Sequence, residues 1–81
     1  MSRNTRLYVQ AFKELIDEVI RENKSDPQKA KELIMNEVLR EAKKVFKPDD
    51  YQEIRMHAFR RLVELGFTAK ELEELLKRVE Q

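Results

Sequence analysis

The chain predicts an all-α fold: a compact four-helix domain with short loops, a single unit of 81 residues. Apolar side chains recur at three- and four-residue steps through four separate stretches, the period of a helix with one buried face. Between the stretches lie three short polar breaks. Each break carries residues whose chemistry ends one helix or starts the next. The composition agrees, with one glycine and two prolines, all at those breaks.

The first helix is predicted from Thr5 to Asn23, behind a cap at Asn4. Tyr8, Phe12, Leu15, Ile16, Val19 and Ile20 form its stripe, and Lys13, Glu14, Asp17 and Arg21 its solvated side. In the break "NKSDPQKA", Asp26 is a natural N-cap and Pro27 suits the first helical position, where a missing N–H costs nothing. The second helix then runs from Pro27 to Phe46, with Ile34, Met35, Val38, Leu39, Ala42, Val45 and Phe46 facing inward. In "KPDDYQ", Pro48 cannot continue the preceding ladder, and Asp49 with Gln52 has the spacing of a capping box. The third helix extends from Asp50 to Leu65. Its apolar arc of Tyr51, Ile54, Met56, Ala58, Phe59, Leu62, Val63 and Leu65 covers more than half the circumference, so this helix should be central. Gly66 follows the last periodic residue, where a helix end favours positive φ, and Phe67 can fold back onto the core. Thr68 and Glu71 make a capping box for the fourth helix, Ala69 to Glu80. Its stripe of Leu72, Leu75, Leu76 and Val79 is narrow, which puts it on the outside, crossing the third helix at the Gly66 corner.

Composition excludes several kinds of chemistry. There is no cysteine, hence no disulfide and no thiolate metal site, and one histidine cannot build a zinc site. No catalytic residue, metal or cofactor is expected. His57 has no Ser, Cys or Asp orienter near it in sequence, and Glu53 one turn earlier reads as a helix salt-bridge partner. Lys and Arg number 17 against 16 Asp and Glu, so the net charge of +1 lacks the basic excess of a phosphate-binding domain. Uncharged runs are too short to span a membrane, and "MSRNTRLYV" has no apolar stretch of signal-peptide length. A soluble protein is expected.

The stretch "RRLVELGFTAKELEELL" has the helix, corner, helix form of a helix-turn-helix. Gly66, Phe67, Leu72 and Leu75 suit the locking of two helices. The second helix does not suit base reading, because Glu71, Glu73, Glu74 and Glu80 outnumber Lys70, Lys77 and Arg78 and would repel phosphate. Phe59 to Val79 resembles the helix pair that follows the winged module in MerR-type regulators, where an arginine-rich helix ends in LGFS and an acidic helix follows. Two long helices precede it here in place of the helix-turn-helix and wing, so the resemblance carries over no DNA-contacting residue. Nucleic-acid contacts through Arg55, Arg60 and Arg61 remain a third functional reading. On the same polar face Glu53 and Glu64 lie within three or four residues of His57, Arg60 and Arg61 and read as their solvated partners, with Arg3 and Arg6 as basic residues elsewhere.

Three residues break the patterning. Leu7 lies off the first stripe, Leu33 lies almost opposite the second, and Arg55 falls inside the third apolar arc, where it should pair with a carboxylate from another helix or snorkel to the bundle end. They mark a candidate surface for a protein partner or for self-association. As a whole, the chain resembles a computationally designed helical bundle. The marks are 41% charged residues, no Cys or Trp, repeated capping boxes, and charge pairs such as Lys13–Asp17, Glu73–Lys77 and Glu74–Arg78. That resemblance implies a scaffold with no biochemical activity, no cofactor and no required partner. An interaction module at Leu7, Leu33 and Arg55 is the second expectation.

Overall fold

Four helices make up the computed structural model, which describes residues 3–80. We label them α1 (Arg3–Glu22), α2 (Pro27–Leu33 and Leu39–Val45 on either side of a π-helical turn, Ile34–Val38), α3 (Pro48–Glu64) and α4 (Ala69–Val79). No strand occurs among the described residues. The all-α, four-helix expectation is met.

Local chemistry explains most of the boundaries. Asp26 caps α2, its side chain accepting from the Lys29 N–H at 3.2 Å, with Pro27 opening the first turn. Thr68 Oγ1 accepts from the Glu71 N–H at 3.2 Å, and Glu71 Oε1 accepts from the Thr68 N–H at 3.3 Å, completing the capping box of α4. Gly66 has φ of 107°. The Gly66 N–H donates to Val63 O (2.9 Å) and the Phe67 N–H to Leu62 O (3.2 Å), the two bonds of a Schellman ending. Phe67 then packs against the core, as expected.

Two expected caps are not formed. Asn4 lies inside α1, which starts at Arg3. Lys47, not Asp49, is the N-cap of α3, and it makes no side-chain cap bond. Pro48 alone sets that start by fixing its own φ, and Asp49 and Asp50 in the first turn complement the helix dipole.

Ion pairs give the helix directions. Arg6 meets Asp50 and Glu53, Lys13 meets Glu53, and Asp17 meets His57 and Arg61, so numbers rise together and α1 runs parallel to α3. The intrahelical pair expected for Lys13 and Asp17 is therefore replaced by bonds between helices. At the N-terminal end of α3, Glu80 meets Tyr51 and Arg55. Helix α4 thus returns alongside α3 from the Gly66 corner instead of crossing away from it. The third helix touches all three others, as the width of its arc implies, and α2 shares the central place through its π-turn. The assembly is a slab with Cα extents of 37 × 26 × 17 Å, about two helices thick.

The π-turn was not legible in the stripe of α2, and it changes which residues are inside. One extra residue in the turn sets the second half of the helix back by about 100° relative to a continuous α-helix. Ile34, Met35, Val38 and Leu39 all become buried, and Phe46 packs against the core with its ring edge-on to Phe12, centroids 5.1 Å apart. Val45, expected inside, is 58% exposed. On α1 the buried stripe is Val9, Phe12, Ile16, Val19 and Ile20, so Val9 replaces Tyr8 and Leu15, which stay in solvent.

Candidate interaction groove

The arc of α3 is wider than its neighbours can cover. Tyr51, Ile54, Ala58 and Leu62 are its buried members. Helix α4 should cover the remaining edge, but its own stripe is narrow and is drawn toward the π-turn of α2, burying Leu72, Leu76 and Val79. A groove of about 620 Å³ is left between α3 and α4. Its floor is Met56, Phe59 and Val63 from α3 with Ala69 and Leu76 from α4. Met56 and Val63 remain 52% and 48% exposed. At the ~1.5 Å rise of a helix residue, the apolar run from Met56 to Val63 is ~10 Å long, about two turns of helix.

The groove has a closed end and a charged rim. Tyr51 donates to Glu80 Oε2 at 2.7 Å, and Arg55 Nη1 lies 3.4 Å from the same oxygen, joining the start of α3 to the end of α4. Burial, and then the Glu80 carboxylate, push the Tyr51 hydroxyl well above the usual phenol range, so it stays a donor. Arg60 and Glu73 stand on opposite walls, and among the described residues neither has an ion-pair partner.

The sequence-predicted residues fall on different parts of the molecule. Arg55 lines the groove and is held by Glu80, the cross-helix carboxylate its position in the arc suggested. Leu7 is 66% exposed on the outer face of α1, and Leu33 is half-covered on α2; neither lines the groove. Of the candidate nucleic-acid contacts, Arg61 is taken up by Asp17 (3.3 Å) and Glu64 (3.4 Å), leaving Arg60 as the unpaired arginine of the set. His57 Nε2 sits 2.9 Å from Asp17 Oδ1, so its partner is on α1, not Glu53 one turn before it. Glu53 instead takes Arg6 at 3.0 Å and Lys13 at 2.6 Å. Those hydrogen bonds, Arg6 first, lower its carboxyl to about 2.

Two buried charges escaped the sequence reading. Lys31 is buried on α2, with its Nζ 3.2 Å from Glu71 Oε2 and 5.0 Å from the Phe67 ring centroid. Its position three residues before Ile34 and four before Met35, on the apolar face, was the available signal. Asp50 is buried in the first turn of α3, Oδ1 at 3.4 Å from Arg6. The groove itself could have been anticipated by comparing the broad arc of α3 with the narrow stripe of α4. Among the described residues no cluster of three His, Cys, Asp or Glu is placed to hold a metal ion. No helix among the described residues is long and apolar enough to cross a membrane.

Comparison with protein-family models, with curated proteins and with solved structures gives no match for this chain.

Proposed function

We propose that this protein is an interaction module whose α3–α4 groove receives the apolar face of an amphipathic helix. The apolar floor of Met56, Phe59 and Val63, with Met56 and Val63 about half exposed, carries the reading. These side chains form one contiguous apolar strip at helical spacing, flanked by charged walls, which is the arrangement of helix-in-groove recognition. The binding energy would come from burying that floor, and the direction of the bound helix from Arg60 and Glu73 on opposite walls.

The test is a methyl NMR titration with three-turn helical peptides. One carries leucines at i, i+4 and i+7, and the control has the same composition scrambled. The striped peptide should move the Met56 and Val63 methyl signals saturably, and Val63→Glu should abolish the effect. If neither peptide moves them up to about 1 mM, where binding is worth about 4 kcal/mol, the groove is not a helix site.

A second reading, a designed scaffold without a partner, draws its support from the agreement of the Asp26, Gly66 and Thr68 capping devices with the fold. It requires a thermal midpoint above about 90 °C that is independent of protein concentration. A moderate midpoint that rises with concentration would remove it.

A further inference from the structure

The molecule has a second apolar surface, on α1. Leu7, Ala11 and Leu15 follow one another at four-residue steps along its outer face, with Tyr8 beside them, and all four are exposed. At ~1.5 Å per residue this ridge is ~12 Å long, against ~10 Å for the floor of the groove. Glu14 flanks the ridge and makes no ion pair among the described residues; Gln10 is its one side-chain neighbour, at 3.5 Å. Arg60 on the groove wall is likewise unpaired. Ridge and groove match in length, Glu14 of the ridge is opposite in charge to Arg60 of the groove, and no α1 residue lines the groove, so one copy can offer its ridge while receiving another.

We infer that the occupant of the groove is a second copy of this chain, presenting the Leu7–Ala11–Leu15 face of α1. The inference rests on the groove being a helix site. The contact is head-to-tail: ridge and groove are different surfaces, so each added copy leaves a free ridge at one end and a free groove at the other. Association continues into chains or closes into a ring. One helix face in one groove buries less than the roughly 1,200 Å² of a stable specific interface, so the contact is weak and concentration-dependent.

The experiment is sedimentation velocity on the full chain from about 10 µM to about 1 mM, a span of roughly 2.7 kcal/mol in binding free energy. Leu15→Glu disables the ridge and Val63→Glu the groove. Both positions are exposed, and circular dichroism verifies that both variants fold. The wild type should gain mass steadily with concentration, beyond a dimer. Each variant alone should stay monomeric over the range. An equimolar mixture should form a 1:1 dimer that grows no further, because one intact ridge meets one intact groove. A mixture that remains monomeric overturns the inference. So does Leu15→Glu associating like the wild type while Val63→Glu does not, a result that keeps the groove and replaces the occupant with a second groove. A wild type monomeric at about 1 mM also overturns it, and the peptide titration then judges the groove separately.

Discussion

Lys31 offers the sharpest test of the packing. Its ammonium is on the inner side of α2 with the side chain only 8% exposed, and Glu71 is its one carboxylate partner. Removing one partner of a fully buried pair costs about 3–5 kcal/mol, because the remaining charge is stranded. Glu71 is 42% exposed and screened by water, so Glu71→Gln should lower stability by well under that range, the cost being that of the stranded Lys31 ammonium. Glutamine still serves at the third position of a capping box, so the Thr68 N–H keeps its acceptor and the substitution isolates the charge. Lys31→Met takes away the buried charge while keeping an apolar stem near Phe67. It loses a cation–π contact of about 0.5–1 kcal/mol and relieves desolvation, so it should lie within about 1 kcal/mol of the wild type. In the double variant the cost of Glu71→Gln should largely vanish, so the two substitutions are coupled. Urea unfolding of the four proteins at constant m-value measures this, and the single Glu71→Gln variant should melt below the wild type. Should Glu71→Gln be neutral and Lys31→Met cost more than about 2 kcal/mol, the stem of Lys31 and not its charge holds α2 to α4, and the reasoning fails.

The Glu53 carboxyl, lowered to about 2 in the folded chain, binds its proton first in the unfolded one. Its contribution is therefore complete above about pH 4.5 and is lost as the pH falls through about 2, and at one-third exposure it is worth about 1 kcal/mol after screening. Urea midpoints across that window should fall for the wild type and flatten for Glu53→Gln. Gly66→Ala should cost about 1 kcal/mol or more by thermal melting, since nothing crowds a Cβ there and the penalty is that of φ at 107° alone; Gly66→Asn should lose less. The π-turn predicts opposite sensitivities two turns apart: Leu39→Ala should cost about 2–5 kcal/mol in urea unfolding, and Val45→Ala within about 0.5. Equal costs at the two positions would mean that α2 keeps a continuous α-helical register in solution.

The sequence by itself determined what is local. Periodicity announced four helices, and three of the breaks' devices act in the structure as their chemistry requires: Asp26 with Pro27, Gly66 with Phe67, and Thr68 with Glu71. These depend on neighbours within five residues, so the chain carries the whole cause. Where local signals competed, reading them failed: Pro48 set the start of α3 by its fixed φ, and the Asp49–Gln52 spacing was left unused. Charge pairing also escaped, because Asp17, Glu53 and Lys13 find better partners across helices than along them, and cross-helix distances are absent from spacing.

Tertiary structure alone decided which part of each apolar arc is covered. The π-turn in α2 answers to packing from α1 and α4 at once, and by resetting the register it put Val45 outside. The same packing drew α4 toward α2, leaving Met56, Phe59 and Val63 as a groove on α3 and Leu7, Ala11 and Leu15 as a ridge on α1. An apolar side chain states that it would gain from burial; what buries it depends on where the other helices come to rest.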